Sequence, residues 1–558
     1  MKKYVLTAVH SFHVFISKDT FIISPHKKIM NRSTLIPLLI LLISTANKLN
    51  AQGSYGLQFN IDNFKTQTLQ LDKKSFKVRA YENIVYVSNP IDTAYEVMNI
   101  YIPEEYFNGK SINGYTAATA PIFFPNQVGG YMPAKPASAL RSGGDFMAMP
   151  PGIVPGGAPA SSDAKQPMNH GGKQNNFPPP NGFGGMGGER QSAVVMALSK
   201  GYIVASAGAR GRTTQDKNGI YTGKAPADIV DLKAAIRYLK FNDKAMPGDA
   251  NKIVSNGTSA GGAMSVLIGA TGNNTDYEPY LKTLGAANAT DDVFAVSAYC
   301  PITNLDHADM AYEWQFNGIN SFEARGMPGQ NTMSANNTLT PKQIDASNKL
   351  KQMFPAYVNS LHLTDTNGNA LTLEADGNGS FKDWVKSYVI ASAQKALDKG
   401  SDLSQHSWIT IRNGKVTDID YNGYIHYMKR MKTPPAFDAL DLSTPENQLF
   451  GTITIDKQHF TPFSADNSII TAKLADAIIV KMMNPMNYIG TNGTMTAQYW
   501  RIRHGTKDKD TGLGIPVILG TYLQNKGYHV NIELPWDRPH SGDYDLDELF
   551  AWMDNICK

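Results

Sequence analysis

The chain is poor in cysteine, and its charges nearly cancel. Only Cys300 and Cys557 occur among 558 residues, so disulfide bonds cannot be the main support of the fold, and the sequence does not decide whether the two pair. Lysine and arginine number 52 against 48 aspartate and glutamate residues, a formal net charge of +4. Because no dense basic block stands out, the sequence argues against a nucleic acid partner.

Long apolar runs are also scarce, and the one membrane-like run lies near the N-terminus. Residues 35–43 are apolar, follow Asn31 and Arg32, and precede a small-residue site that ends at Ala51. This layout is typical of a signal peptide, and the run is short for its alternative, a transmembrane anchor. Met30 would serve as the initiator. We therefore expect residues 1–51 to form an N-terminal extension and signal peptide, and the protein to be periplasmic or extracellular without a stable membrane anchor.

The remaining chain has the composition of a globular enzyme, with 42% hydrophobic and 18% charged residues. β-Forming runs alternate with helical patterns along most of it. The expected strands lie near residues 81–87, 98–103, 120–125, 202–206, 252–256, 499–503 and 529–534, and the expected helices near 192–200, 228–242, 516–526 and 545–553. This alternation predicts a mostly parallel sheet with helices on both faces, an α/β fold.

Two stretches break the alternation. Residues 137–188 are rich in glycine, proline and methionine without a period that could bury a face, which predicts a flexible surface insertion. Between residues 301 and 485 the pattern is less regular and more polar, and we interpret this span as an inserted lid domain. The core would then comprise residues 52–300 and 486–558.

A Gly-x-Ser-x-Gly motif at residues 257–261 carries the first chemical signal. A short strand precedes it and a small-residue helix follows it, as a nucleophile elbow requires. The glycines are needed because side chains at those positions would strike the neighbouring strand or helix. The alternative is a glycine-rich turn with a capping serine. In its strand-to-helix context the motif predicts an α/β-hydrolase fold with Ser259 as nucleophile.

A serine nucleophile needs a base and an acid, which in this fold arrive later in the chain, the histidine last. Asp508 lies in the loop after one strand, and His540 in the loop after the final strand. His504 and His529 lie within or beside strands and are expected to be structural. The sequence therefore predicts a Ser259–His540–Asp508 triad, with Asp510 as an alternative acid.

The oxyanion of the tetrahedral intermediate needs backbone donors. One is expected from the N–H of Ala260, and the other from the loop that holds Gly129 and Gly130. Which of these glycines donates is open, and a plain flexible turn is the alternative interpretation of the pair.

Several stretches together resemble the bacterial tannases, the tannin acyl hydrolases, over most of the mature chain. They are residues 111–116, 120–131, 257–262, 432–438, 446–447, 503–510 and 535–540. The resemblance implies an α/β-hydrolase fold with a large inserted lid, and it implies Ser259, Asp508 and His540 as the triad.

The resemblance also implies a binding site for the galloyl ring. Lys432, Glu446 and Asp510 would contact the ring hydroxyls, and Ile302 and Pro445 would form apolar walls beside the ring. Two carboxylates and an ammonium suit three adjacent phenols, because charged partners make strong and directional hydrogen bonds. A ring without the hydroxyls would leave those groups unpaired and would be rejected.

We therefore expect a secreted serine esterase that hydrolyses galloyl esters through an acyl-enzyme and releases gallic acid. No metal or organic cofactor is called for. A feruloyl or other aryl esterase of the same fold is the nearest alternative, and a peptidase is a more distant one. A non-catalytic binding module that retains the fold is the alternative from another class, and an intact Ser, Asp and His set argues against it.

Overall fold

A nine-stranded sheet organises the chain from Leu57 onward. In the computed structural model its strands are, in chain order, β1 Lys65–Leu71, β2 Lys74–Val85, β3 Val97–Pro103, β4 Pro121–Pro125, β5 Ile203–Ala207, β6 Asp249–Thr258, β7 Ala295–Tyr299, β8 Tyr499–Arg503 and β9 His529–Glu533. The spatial order is β9-β8-β7-β6-β4-β5-β3-β2-β1. Strands β4 to β9 pair in parallel, whereas β1, β2 and β3 form an antiparallel edge.

Both faces of the central strands are covered. Every residue of β4, β5 and β7 is buried. Because successive side chains of a strand point to opposite faces, full burial requires cover on both sides of the sheet. This confirms the predicted α/β class with a mostly parallel sheet.

Thirteen α-helices lie in the described part of this unit. They are α1 Ala193–Ser199, α2 Ala227–Phe241, α3 Ala260–Ala270, α4 Glu278–Leu284, α5 Leu305–Phe316, α6 Pro341–Ser360, α7 Ser380–Asp398, α8 Tyr421–Met428, α9 Pro445–Leu449, α10 Pro462–Asp466, α11 Ala477–Met482, α12 Gly514–Asn525 and α13 Leu546–Cys557. Short 3₁₀ helices span Glu104–Asn108, Thr275–Tyr277 and Pro485–Asn487. The four predicted helices are all present, and the last one runs four residues beyond its expected end.

Helix α2 differs from its prediction in burial. The helical spacing of its apolar residues predicts an amphipathic helix, but most of its polar residues are buried too. Several of them form ion pairs: Asp231 with Arg210 at 2.6 Å, and Lys233 with Asp291 at 2.7 Å. Periodicity misses this because buried charges that are paired look the same in sequence as solvated ones.

The inserted segment, which we define as residues 300–498, lies between β7 and β8. It contains helices α5 to α11 and two small antiparallel sheets, Ser321–Phe322 with Asn337–Thr338 and Ile409–Arg412 with Lys415–Ile419. Its position in the chain is that of the predicted lid domain, whose bounds stay a prediction. Within the described ranges, residues 57–558 form one compact unit.

The structure describes residues 54–140, 192–322 and 337–558, and three strands nearer the N-terminus. Those strands, Val5–Ala8, Phe12–Ser17 and Thr20–Ile22, pair in an antiparallel sheet within a separate unit. The predicted signal segment, the start at Met30 and nearly all of the predicted insertion at 137–188 lie outside the described residues. Over the described ranges, no helix combines the length and apolarity needed to cross a membrane.

Candidate active site

Ser259 lies in a sharp turn between β6 and helix α3. Its backbone has φ 62° and ψ −124°, a conformation that is strained for a residue with a side chain. The Ser259 N–H donates to the carbonyl of Tyr299, the last residue of β7, at 3.0 Å. The turn is therefore held by the sheet at the point where the backbone is strained, as expected for a nucleophile elbow.

The motif glycines are required by a close approach of Asn126. A Cβ atom on Gly261 would lie 2.6 Å from Asn126 Oδ1 and 2.7 Å from the Val128 carbonyl oxygen, and one on Gly257 would collide with the Gly261 backbone. Asn126 Nδ2 in turn donates to the Gly261 carbonyl at 2.9 Å. The two glycines thus let the loop after β4 pack directly on the elbow.

Asp508 and His540 form a hydrogen-bonded pair. The Nδ1 atom of His540 lies 2.8 Å from Asp508 Oδ2, whereas it lies 3.6 Å from Asp510 Oδ2. The Asp508 carboxylate is fully buried and also accepts the Asp510 N–H at 2.9 Å. Of the two acids that the sequence left open, Asp508 is the one within hydrogen-bond distance of the imidazole.

The charges of this pair shift both pKa values. Burial alone would lower the pKa of His540, but the Asp508 carboxylate, with Cys300 and Asp510 contributing less, holds that pKa well above its ordinary value. Burial opposes ionisation of Asp508, and the His540 imidazole reverses this so that its pKa lies below the usual range. His504 is fully buried 3.9 Å from the same carboxylate, and burial lowers its pKa. Its position, enclosed behind Asp508, agrees with the structural role expected from sequence.

The loops that carry Ser259 and His540 pack against each other. Asn256 Nδ2 at the end of β6 donates to Asp543 Oδ1 at 3.1 Å. Cys300, the residue after β7, places its Sγ atom 3.9 Å from His540 Nε2. Because β6, β7, β8 and β9 are neighbouring parallel strands, their carboxyl ends meet at one edge of the sheet. The three predicted triad residues therefore lie at the same edge.

The predicted oxyanion donors flank the elbow. Ala260 is the first residue of α3, so its N–H has no partner inside the helix. Gly130 has φ 55° and Tyr131 φ 56°, which turns the loop sharply after Gly129. The Tyr131 hydroxyl donates to the Ile302 carbonyl at 2.8 Å and ties this loop to the chain after β7. Whether Gly129 or Gly130 donates stays a prediction.

Glu446 lies within electrostatic range of the other two predicted ring contacts. It is only 6% exposed, and burial raises its pKa, an effect that Lys432 opposes and Asp510 reinforces. Lys432 is half-buried, with its Nζ 3.9 Å from the centre of the Phe437 ring. Asp510 in turn lies 3.6 Å from His540 Nδ1, and the contact of all three with one ring stays a prediction.

The two predicted apolar walls lie in different surroundings. Ile302 is 6% exposed, and its N–H donates to the Ser259 carbonyl at 3.3 Å. Pro445 is exposed at the start of α9, directly before Glu446. Ile302 therefore borders the elbow and Pro445 the carboxylate, and their contact with a ring stays a prediction.

Two residues near the site were missed from sequence. Arg212 donates from Nε to the Gly130 carbonyl at 2.8 Å and from Nη1 to Gln448 Oε1 in α9. Cys300 was considered only as a disulfide partner of Cys557, but both cysteines are buried and free. Arg212 has no signal in the sequence, since a lone arginine after a strand has no distinctive spacing.

One group in the described ranges has the composition of a metal site. The candidate ligand atoms of Cys300, Asp508 and His540 lie within 4.8 Å of one another. This group coincides with the Asp508–His540 pair, so any ion bound there would compete with a role of the imidazole in proton transfer.

Comparison with known proteins identifies the family of the chain. The BD-FAE family model matches residues 184–358. No curated protein is similar enough to match the chain. The solved tannin acyl hydrolase from Lactobacillus plantarum is 44% identical, with 90% of this chain and 99% of that chain covered and a TM-score of 0.79. The solved Fusobacterium nucleatum tannase is 49% identical, with 90% and 100% covered and a TM-score of 0.79. A tannin acyl hydrolase in complex with ethyl gallate is 44% identical, with 90% and 99% covered and a TM-score of 0.77. On this identity over nearly the whole length, the chain belongs to the bacterial tannases.

Proposed function

We propose that this protein is a serine esterase that hydrolyses galloyl esters and releases gallic acid. The observation that carries the proposal is the Asp508–His540 hydrogen bond of 2.8 Å at the sheet edge that also holds the strained Ser259. The ethyl gallate complex of a relative supports the choice of substrate.

The reaction would begin with attack of Ser259 Oγ on the ester carbonyl carbon. His540 Nε2 takes the hydroxyl proton, while Asp508 accepts a hydrogen bond from Nδ1–H and stabilises the imidazolium that forms. The Ala260 N–H and a donor from the loop of Gly129 and Gly130 would stabilise the oxyanion. Collapse of the intermediate breaks the ester bond, and His540 returns the proton to the leaving alcohol.

The second half of the reaction, hydrolysis of the acyl-enzyme, returns the enzyme to its resting state. Water attacks the galloyl-Ser259 ester, and His540 acts again as base. Breakdown of this second tetrahedral intermediate gives the gallate product and reprotonates Ser259. Every proton moves between substrate, water and His540, so these steps balance with this chain's own residues.

Recognition of the ring would rest on Lys432, Glu446 and Asp510. The phenolic hydroxyls donate to the two carboxylates, and a phenolic oxygen accepts from the Lys432 ammonium. Such charged hydrogen bonds contribute about 1.5–3 kcal/mol each. A ring without the hydroxyls leaves buried charge without a partner, which disfavours its transition state.

Substitution of the proposed nucleophile tests the chemistry. Ser259→Ala should keep the circular dichroism spectrum and melting temperature of the parent but lose roughly four to six orders of magnitude in kcat on methyl gallate. A fluorophosphonate probe should label the parent at Ser259 and leave the variant unlabelled. Substantial turnover by a folded Ser259→Ala variant would refute the serine mechanism.

Substitution of a ring contact tests the substrate. Glu446→Gln should lower kcat/KM on methyl gallate by about 10- to 100-fold and affect methyl benzoate little. Glu374→Gln, an exposed carboxylate of the inserted segment, is the matched control and should change neither rate. If the parent instead hydrolyses methyl ferulate faster than methyl gallate, a feruloyl esterase is the better assignment.

We further propose that the protein is exported, on the strength of the signal-like segment at residues 31–51. Expression from Met30 in a Gram-negative host should give a product whose N-terminus begins near Gln52 in the periplasmic or extracellular fraction. Full-length product retained in the cytoplasm would contradict export.

A further inference from the structure

The catalytic edge holds a thiol that the proposed mechanism does not use. Cys300 directly follows β7, and its backbone has φ 37°, an uncommon conformation for a residue with a side chain. Its N–H donates to the Arg503 carbonyl at 2.6 Å, which fixes the residue to the end of β8. Its Sγ lies 3.4 Å from the Ser541 carbonyl oxygen and 3.9 Å from His540 Nε2. The thiol therefore faces the ring nitrogen that is not bonded to Asp508.

The separation of these two atoms fits one bridging cation. Bonds of about 2.3 Å from zinc to sulfur and about 2.0–2.1 Å from zinc to imidazole nitrogen place the two ligand atoms about 3.6 Å apart at the tetrahedral angle and about 4.4 Å apart in line. The observed 3.9 Å lies between these limits. The separation of the two atoms therefore agrees with the bond lengths to one shared ion.

Asp508 contacts His540 as a carboxylate often contacts a metal-bound histidine, through a hydrogen bond to the ring nitrogen that does not bind the metal. Its bond to Nδ1–H directs the lone pair of Nε2 away from the carboxylate and toward Cys300. Carboxylate–histidine–zinc arrangements of this kind fix the tautomer and strengthen the ligand. The hydrogen bond that prepares His540 as a base thus also prepares it as a ligand.

The thiol is enclosed more deeply than the two side chains of the proposed mechanism that flank it. Ser259 and His540 are half-buried, whereas Cys300 is only 1% exposed. A single ion needs little space between a sulfur and a ring nitrogen, whereas attack on an ester needs room for the carbonyl group beside the attacking atom. The geometry therefore suits a ligand of an ion rather than a second nucleophile.

We propose that Cys300 Sγ and His540 Nε2 form an inhibitory site for one thiophilic divalent cation, such as Zn²⁺ or Cd²⁺. Binding releases the thiol proton to solvent and forms a sulfur–metal bond and a nitrogen–metal bond. The lone pair that would accept the Ser259 proton is then occupied, and ester hydrolysis stops. The inhibition, though not the binding, rests on the proposed function of His540 as base.

Calorimetric titration with Cd²⁺ tests the site without any substrate. The parent should bind one ion, and Cys300→Ser should weaken binding by more than about tenfold, as should His540→Ala. Cys557→Ser is the matched control, because Cys557 is also free and buried but lies at the end of α13. Cys300→Ala repeats the test in case the serine variant melts at a lower temperature. Equal Cd²⁺ affinity of the parent and both Cys300 variants would overturn the proposal.

The rate of fluorophosphonate labelling at Ser259 then tests inhibition, since phenolic esters would themselves bind the metal. Zn²⁺ should slow labelling of the parent and of Cys557→Ser, and a chelator should restore the rate, which excludes oxidation of the thiol. Each labelling rate is expressed relative to the metal-free rate of the same protein. The Zn²⁺ concentration that slows labelling by a given fraction should be more than about tenfold higher for Cys300→Ser than for the parent. Failure of the parent to label without metal would refute the serine mechanism and leave the calorimetric result standing. Labelling unaffected by Zn²⁺ at concentrations that saturate the site would overturn the inhibitory role.

Discussion

The proposed triad and the proposed ring contacts are positioned by two different kinds of structure. Ser259, Asp508 and His540 each follow a parallel strand, β6, β8 and β9 respectively. Their places are set by the hydrogen-bonded register of the sheet. Lys432 and Glu446 lie in the inserted segment, one in a loop and the other in a helix of five residues. Neither residue lies on a strand, so other contacts must fix these two side chains.

Buried carboxylates take the place of strand pairing there. Asp309 accepts the N–H groups of Phe437 and Asp438, at 2.7 and 3.1 Å. Asp438 accepts those of Phe460 and Thr461, at 2.9 and 2.7 Å. Burial raises the pKa of Asp309 to about 8. Loop N–H groups that cannot join a strand are thus satisfied by side chains, which fixes the loop that follows Lys432.

The largest effect is expected from a substitution in the proposed triad, whose residues are positioned by the sheet. Asp508→Asn should lower kcat on methyl gallate by about 10⁴-fold, because an amide cannot hold the Nδ1–H tautomer of His540. Asp510→Asn should lower kcat far less, since its carboxylate lies at 3.6 Å from Nδ1 rather than 2.8 Å. Steady-state kinetics on both variants measures the contrast.

The same pair of variants separates chemistry from recognition. Asp510→Asn should reduce the preference for methyl gallate over methyl benzoate, whereas Asp508→Asn should reduce both rates by a similar factor. If Asp510→Asn caused the larger loss of kcat, the assignment of the acid to Asp508 would be wrong.

The second largest effect is expected on the stability of the inserted segment. Arg430 and Glu313 form an ion pair with both side chains fully buried, and Arg430 Nε also donates to the Lys432 carbonyl at 2.9 Å. Arg430→Met leaves the buried Glu313 carboxylate with the Ser347 hydroxyl but without its ion-pair partner, and should lower the free energy of unfolding by about 3–5 kcal/mol. Urea denaturation followed by tryptophan fluorescence measures the change.

An exposed pair in the same segment provides the control. Lys349 and Asp345 lie one turn apart in α6 with more than half of each side chain exposed. Lys349→Met should change the free energy of unfolding by less than about 0.5 kcal/mol. Similar losses from Lys349→Met and Arg430→Met would show that buried charge is not what holds this segment.

A third, smaller effect is expected where the two regions meet. Arg212 connects the Gly130 carbonyl with Gln448, which lies two residues after Glu446 in α9. Arg212→Met should lower kcat by about tenfold on all esters alike, because the loss of two hydrogen bonds, each contributing about 1 kcal/mol, loosens the loop that donates to the oxyanion. Arg212→Lys should recover part of the rate, since an ammonium can still donate to Gly130.

The ratio of rates on different esters distinguishes this positioning role from a contact with the ring. Arg212→Met should leave the ratio of kcat on methyl gallate to that on methyl benzoate unchanged. A collapse of that ratio would place Arg212 among the ring contacts instead.

The sequence predicts most of the strands that carry the proposed triad, and the order of its three residues. An elbow between a strand and a helix, an acid after the next-to-last strand and a histidine after the last one are ordered features that chain position alone reveals. The strand that precedes Cys300, Ala295–Tyr299, was not predicted, because its five residues include two alanines and a serine. Burial at the centre of the sheet compensates for that weak β propensity.

The proposed ring contacts in the inserted segment are predicted only through the resemblance to the tannases. Nothing in the spacing of Lys432 and Glu446 distinguishes them from solvated surface charges. The contacts that hold this region are long-range in sequence, since Asp309 lies 128 residues from Phe437 and Glu313 lies 117 residues from Arg430. Paired burial of charge, which also misled the prediction for α2, has no periodic signature.

The smallest expected effect is a change in the pH dependence of kcat/KM. It tests whether a proposed ring contact, Asp510, influences the proposed base, His540. Burial lowers the pKa of His540, but Asp508 and, more weakly, Cys300 and Asp510 raise it well above its ordinary value. The base must be neutral to accept the Ser259 proton, so kcat/KM should rise with pH through this raised pKa. Asp510→Asn removes one of the negative charges and should move the acidic limb of the profile to lower pH.

The position of the limb should be compared with that of Glu374→Gln, which removes an exposed carboxylate of the inserted segment. That control should leave the limb unchanged. Since Asp510 would contact the ring and also lies near the imidazole, saturation with a gallate ester should reduce the difference between the parent and Asp510→Asn in the profile of kcat. A limb that does not move in Asp510→Asn would mean that the recognition carboxylates and the base titrate independently, although their side chains are only 3.6 Å apart.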